Sequence, residues 1–394
     1  MAEDRLLAEV RRRLAHGTAR GEPVADVERA VREAGAALGA EDIAALAARV
    51  GSATRGAGPL QRLLDEPGVS DVLVDGTGRV WADRGSGLEE RPVDLGGADQ
   101  IRALAVRLAA AGGSRLDDAA PLVDARLPDG TRLHAVLPPI AVDGPLLSLR
   151  VLRRSAYPLD ALVRSGSVAP VVAATLVGLV RNRANVLVSG ATGTGKTTLL
   201  AALLALVPPD ERVVCLEESG ELDPDHPHVV RLVARRPNVE GVGEVDLARL
   251  VREALRMRPD RIVLGECRGA EVREVLAALS TGHEGSWATL HATAAQDVPA
   301  RLEAMAALAG MSREAVVAQA GAALDAVVHL RRDAGRRRVA QIGRVLREGA
   351  ALRVEEVVAV GADGTVRTAP GWEGFVRRWG GDPAASGPDG ARSA

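Results

Sequence analysis

The feature that most constrains this chain is a short glycine-rich loop set between an apolar run and a helical one. Val186-Leu187-Val188 leads into Gly190-Ala191-Thr192-Gly193-Thr194-Gly195-Lys196-Thr197, and Leu199 to Val207 continues as an apolar helical stretch. This is the G-x-x-x-x-G-K-[ST] pattern in its required strand, loop and helix setting. Glycines let the backbone curl so that successive N–H groups point inward at a phosphate, and the following helix N-terminus adds partial positive charge. In such a loop Lys196 bridges the outer phosphates and the Thr197 hydroxyl ligates Mg²⁺, with Thr198 next in line on the helix. The loop therefore predicts binding of ATP or GTP.

Lys196 is also the only lysine among the 50 lysine and arginine residues. A general drift toward arginine has left one position unchanged. An ammonium is a compact point charge on a slim stem, whereas a guanidinium is wide and forked, so a site that keeps lysine is a tight anion pocket.

Two to three domains are expected from 394 residues, and 47% apolar with 26% charged residues is an ordinary globular composition. Fifty basic against 52 acidic side chains leave a net charge of −2. That balance argues against a protein whose main work is gripping a nucleic acid backbone, so no direct nucleic-acid binding is expected. Cys215 and Cys267 are too few for a disulfide framework and sit in apolar runs, which fits a reducing cytoplasm. The charged start Met1-Ala2-Glu3-Asp4 carries no apolar signal-peptide core. The longest nearly uncharged stretch, Val168 to Val180, is shorter than the ~20 residues of a membrane-spanning helix, so any membrane contact is expected to be peripheral.

Along the chain, residues 1–55 read as a helical N-terminal segment. Residues 56–152 read as a small α+β domain: strand-like runs at Val69 to Val74 and Arg79 to Ala82, an amphipathic helix capped at Asp99, then a hairpin turning at Pro128-Asp129-Gly130. Residues 153–166 look like a linker. From 167 to 360 strands and helices alternate, the mark of a mostly parallel sheet covered by helices, with a hairpin around Asp333-Ala334-Gly335. The segment 361–394, rich in Gly, Pro and Ser, reads as a flexible tail.

Acidic and imidazole groups follow the loop in order. Arg261 to Leu264 is an apolar strand with Gly265 where aspartate is usual, leaving Glu266 as the carboxylate at its end, suited to a Mg²⁺-water contact or a general base. Glu217, Glu218 and Glu221 follow the strand Val213 to Leu216, and which of Glu217, Glu218 and Glu266 acts as base stays open. His283 and His291 lie in a Gly-, Ser- and Thr-rich segment that suits a loop facing a ligand and has poor zinc spacing. His226 and His228, beside Asp223 and Asp225, read as an exposed turn ahead of a metal site.

The succession of the glycine loop, Leu216-Glu217-Glu218, Pro237-Asn238-Val239-Glu240-Gly241, Leu255 to Arg261, Gly265-Glu266-Cys267-Arg268-Gly269 and the His283 to His291 segment closely resembles the type II/type IV secretion ATPase family. The branch serving tight-adherence pili and conjugal transfer is the nearest in pattern. The resemblance extends back through Val123 to Arg132 and Ser148-Leu149-Arg150, covering roughly residues 58 to 350. It implies an α/β RecA-like P-loop motor domain preceded by a PAS-like α+β domain, working as a homohexamer on the inner face of the cell membrane against a polytopic platform protein. It implies ATP and Mg²⁺ as nucleotide and metal, with Thr197 and Glu266 toward the metal. By motif match it puts Glu217 and Glu218 in the aspartate box, Glu266 in Walker B, and His283 and His291 in the histidine box. Arg126 and Arg132 are matched to the arginines that reach the triphosphate, and Arg150 lies near the nucleotide. Glu218 where aspartate is usual and Cys267 where an aliphatic is common are the two departures.

The function implied is an ATP-hydrolysing motor for pilus assembly, protein secretion or conjugal transfer. Two other classes compete: a RecA-like motor stimulated by nucleic acid, and a nucleotide-gated assembly module with little turnover. One tyrosine, one phenylalanine and four tryptophans offer few rings for base stacking, which disfavours the first.

Overall fold

The computed structural model describes residues 56–85, 87–151, 157–235, 237, 242–280, 282–333 and 335–380. The helical segment expected at 1–55 and the last part of the expected tail, 381–394, lie outside the described residues. The chain divides into two compact units, meeting at Arg153 and Arg154.

The first unit contains α1 (Gln61–Asp65), β1 (Asp71–Val74), β2 (Val80–Asp83), β3 (Leu88–Arg91), α2 (Ala98–Ala111), β4 (Leu122–Arg126), β5 (Arg132–Val136) and β6 (Leu146–Arg150). The strands form one antiparallel sheet in the order β3-β2-β1-β6-β5-β4. Alternation decides its two faces. Val72, Val123, Ala125, Leu133, Leu147 and Leu149 are buried with Ile101, Leu104, Ala105 and Leu108 of α2, while the residues between them face outward. The N-cap of α2 is Gly97, and Asp99 sits in its first turn, where a carboxylate favours the helix dipole without capping it.

The second unit contains α3 (Leu159–Arg164), α4 (Pro170–Arg181), β7 (Val186–Gly190), α5 (Lys196–Leu204), β8 (Val213–Glu217), β9 (Val229–Val233), α6 (Leu247–Ala254), β10 (Arg261–Cys267), α7 (Val272–Ser280), β11 (Trp287–Leu290), α8 (Val298–Leu308), α9 (Arg313–Ala323), β12 (Ala326–Asp333), β13 (Arg336–Glu348), β14 (Ala351–Val360), β15 (Val366–Thr368) and α10 (Trp372–Trp379). The sheet runs β15-β14-β13-β12-β7-β11-β10-β8-β9. Its strands from β12 to β9 are parallel, and β13 to β15 extend it antiparallel.

Both faces are covered, which is why the central strands are apolar throughout rather than alternating. Val186 and Val188 of β7, Cys215 of β8 and Val263 of β10 point into a core with α4, α5 and α10. Leu187, Val214, Leu216, Ile262 and Leu264 point into the opposite core with α6, α7, α8 and α9. The result is an α/β fold with the glycine loop leaving the middle of a parallel sheet. Among the described residues no helix is long and apolar enough to cross a membrane.

Two expectations need correction. The stretch 153–166, read as a linker, holds α3, started at Pro158 and anchored by buried Leu159. Residues 361–380, read as flexible tail, form β15 on the sheet edge and α10, whose Phe375 is buried while Trp372 and Trp379 pack beside it. Three aromatic residues at helical spacing outweigh a Gly- and Pro-rich surrounding.

Candidate active site

Four adjacent parallel strands, β7, β11, β10 and β8, end on the same side of the sheet, and their carboxyl ends carry the loop, His291, Glu266 and Glu217. Ligands of open α/β sheets bind beyond such ends.

The loop begins at Gly190, where a side chain would meet the Leu330 carbonyl at 2.6 Å and the Thr194 hydroxyl at 2.8 Å. Gly193 and Gly195 adopt φ of +74° and +94°, in the left-handed region open to glycine. Gly195 is the N-cap of α5, so the loop opens directly onto the unsatisfied amides of a helix N-terminus. Thr194 Oγ1 closes the turn by donating to the Ala191 carbonyl at 2.9 Å. Ala191, Thr192 and Gly193 are exposed, and Thr197 and Thr198 are half-buried in the first turn of α5.

Lys196 is only 8% exposed, and its Nζ donates to the carbonyls of Gly190 and Ala191, each at 3.0 Å. Burial lowers its pKa, Glu266 opposes that, and Arg268 adds to it. A buried ammonium whose partners are two carbonyl dipoles of its own loop is under-neutralised. It fits an incoming polyanion better than it fits its present surroundings.

Glu266 is held from two sides. His291 Nε2 contacts its Oε1, and Arg268 donates to its Oε2. The other Nη of Arg268 reaches Glu218 Oε2 at 3.2 Å, so one guanidinium ties the end of β10 to the residue after β8. Burial lowers the pKa of His291, with the Lys196 charge adding to it and Glu266 resisting. A neutral ring touching a carboxylate presents its N–H, which assigns the Nε2 tautomer from the partner.

Glu217 is placed differently. It is 5% exposed, and its Oε1 accepts from the backbone N–H groups of Glu221 and Leu222 at 2.8 and 2.9 Å. Its Cγ lies 2.6 Å from where a Cβ on Gly265 would stand, which gives a physical reason for glycine at that strand position. The Thr289 hydroxyl of β11 donates to the Gly265 carbonyl at the irregularity where β10 shifts register. His283 Nδ1 contacts the Ala278 carbonyl of α7 at 3.3 Å; among the described residues no hydrogen bond or ion pair joins His283 to Lys196 or Glu266.

The structure thus brings together Lys196, Glu266, His291 and Glu218, the last through Arg268, a residue quoted within a motif but given no role by the sequence. His226 contacts the Pro208 carbonyl and His228 contacts Arg212, so each already serves its own turn. In the first unit, Arg126, Arg132 and Arg150 stand in one cross-strand row over β4, β5 and β6, with Asp71 of β1 beside Arg150 at 2.9 Å. Like charges directly across strands are unfavourable, and here the Asp71 carboxylate offsets part of that cost at Arg150.

Fold and loop together define an α/β protein of the P-loop class. The chain belongs to the family described as Type II/IV secretion system protein, which matches residues 53–358. A relative from Mycobacterium tuberculosis (strain ATCC 25618 / H37Rv), named for conjugal transfer, is 53% identical over 315 residues, covering 78% of this chain and 89% of the relative. The conjugal transfer protein TrbB of Rhizobium radiobacter is 33% identical over 285 residues, 71% of this chain and 84% of that one. Among solved structures, the pilus retraction motor PilT with bound ADP is similar in fold, with a TM-score of 0.53 at 20% identity over 77% of this chain and 83% of that one.

Proposed function

We propose that this protein is an ATP-hydrolysing motor that powers conjugal transfer, protein secretion or pilus assembly, acting as a homohexamer against a membrane platform from the cytoplasmic face. The observation that carries the reading is the buried Lys196 ammonium, set at a helix N-terminus and within electrostatic reach of Glu266, His291 and Arg268. The relatives named for conjugal transfer support the machine it serves.

On this reading the loop amides and Lys196 bind the triphosphate, and the ammonium exchanges two carbonyl partners for phosphate oxygens. Thr197 and Glu266 are the residues that would hold Mg²⁺, which would supply neutralising charge for the phosphoryl group when bound. Glu266 is the group that orients the attacking water, and His291 on one carboxylate oxygen and Arg268 on the other fix the orientation of its carboxylate plane. Glu217 and His283 keep supporting parts at the strand and helix ends. A cleft of about 290 Å³ beside Thr194, Gly195 and Thr198, walled by Leu162, Leu330 and Val339 and edged by Arg337 and Arg338, has room for the nucleoside. The in-register arginines Arg126, Arg132 and Arg150 support an anion-facing surface on the first unit, whose sheet and helices we read as PAS-like.

The test is uptake of labelled ATP with Mg²⁺ and steady-state phosphate release. The wild-type protein should bind and turn over ATP, and Lys196→Ala should abolish turnover. Full activity in Lys196→Ala, or no uptake by the wild type at millimolar nucleotide, overturns the reading. Mass measurement in Mg-ATP checks the ring, and stimulation by DNA or RNA would point to the nucleic-acid motor instead.

A further inference from the structure

The glycines of the loop face one partner. A methyl group on Gly190 would strike the Leu330 carbonyl, one on Gly193 would lie 3.9 Å from the Arg332 guanidinium, and one on Gly195 would lie 3.5 Å from Arg337 Cδ and 4.0 Å from Leu330 Cδ2. Leu330, Arg332 and Arg337 all belong to the hairpin of β12 and β13, far along the sequence from the loop they touch. Beyond the ladder that pairs β12 with β7, Arg337 Nε donates to the Gly193 carbonyl at 3.0 Å.

We propose that Arg337 is a positioning residue for the nucleotide, acting through the Gly193 peptide, and that the β12–β13 hairpin thereby sets the loop for binding. In a planar trans peptide the carbonyl and the following N–H point in opposite directions. Arg337, by holding the Gly193 oxygen outward, turns the Thr194 N–H inward toward the cradle. Gly193 sits in a left-handed conformation with only the Arg332 guanidinium near the place of a Cβ, so the Arg337 bond to its carbonyl restricts rotation of that peptide. A charge-assisted bond to the carbonyl fixes it before the nucleotide arrives. The role is distinct from that of Lys196, which takes the phosphate charge directly. It rests on the reading of the loop as a nucleotide cradle.

The experiment compares wild type, Arg337→Ala, Arg337→Lys and Arg336→Ala. Arg336 is exposed on the same hairpin, so its loss removes the same charge without the contact to Gly193. Binding of a fluorescent ADP analogue with Mg²⁺ and the KM and kcat for ATP are measured, along with hydrogen exchange of the 193–196 amides without nucleotide. Because Arg337 also edges the nucleoside cleft, the loop exchange measured without nucleotide separates a hold on Gly193 from contact with the ligand. Arg337→Ala should weaken binding and raise KM by about tenfold with kcat within about twofold, and should speed exchange at the loop. Lysine at 337, which can donate to the same carbonyl, should recover most of the affinity, and Arg336→Ala should match wild type. Unchanged affinity and exchange in Arg337→Ala, or an equal loss in Arg336→Ala, overturns the proposal while leaving the nucleotide reading intact. Failure of the wild type to bind nucleotide overturns both.

Discussion

Glu217 fills the space that a side chain on Gly265 would need, with its Cγ 2.6 Å from the position of the missing Cβ. The two residues stand on adjacent strands, and the carboxylate that takes the vacated volume is fastened to the amides of the turn that follows.

Gly265→Ala should therefore cost about 1–3 kcal/mol through overpacking, because the Glu217 side chain it would strike is pinned by two backbone amides and cannot swing away freely. At roughly 2–4 °C per kcal/mol for a unit of this size, a thermal melt would register several degrees. Gly265→Asp should be worse, as it sets a second carboxylate against a buried one. A melting temperature unchanged in Gly265→Ala would mean that Glu217 moves aside at no cost.

Lys196→Arg is not a conservative change at this position. The ammonium is 8% exposed and bonded to two carbonyls of its own loop, leaving no width for a planar fork. ATP turnover should fall by roughly 100-fold, the scale of losing one aligned charge from a reacting centre. Steady-state phosphate release with a binding measurement alongside separates lost chemistry from lost affinity.

Arg268 joins Glu218 and Glu266, acids from neighbouring strands that would otherwise repel. Arg268→Ala should lower kcat by roughly tenfold, with a smaller change in KM, because Glu266, proposed to orient the attacking water, loses one of its two supports. Glu218→Gln keeps the Arg268 contact to Glu266 and should lose less. A larger loss in Glu218→Gln than in Arg268→Ala would assign the catalytic part to Glu218.

His329 is buried, its Nδ1 2.9 Å from Ser189 Oγ just ahead of the loop, and burial holds its pKa below the usual imidazole range. In the unfolded chain it titrates near pH ~6.5, so as pH falls below that value the unfolded form takes up the proton first. Stability should decline through this window and level off once the folded ring also protonates. His291, lowered in the same direction, contributes a parallel decline. His329→Gln should flatten the curve of melting temperature between pH 7.5 and 5 relative to wild type; superimposable slopes would remove His329 as a contributor.

Much of the nucleotide loop was legible because its chemistry demands contiguous residues: strand, glycines, lysine and helix must follow one another. The acid at the end of β10 was legible for the same reason, since an apolar run ending in a carboxylate is a local signal. Arg337 was not, because its role depends on a hairpin folding back over the loop, and no local spacing encodes that. His283 and His291 looked alike in sequence, yet only one lies at the carboxyl end of a strand beside Glu266. Strand β3, with Leu88-Glu89-Glu90-Arg91 largely exposed at a sheet edge, carries no apolar alternation to reveal it. In α10 the aromatic spacing was present, but the glycines and prolines around it obscured the pattern.

A reagent that acylates primary amines finds a single side-chain target in the entire sequence, and it is the one at the heart of the cradle. Modification at that residue would accordingly be an uncluttered reporter of occupancy: apart from the α-amine, one internal peptide gains mass when the cradle lies open, and the same peptide is shielded when a phosphate chain covers it.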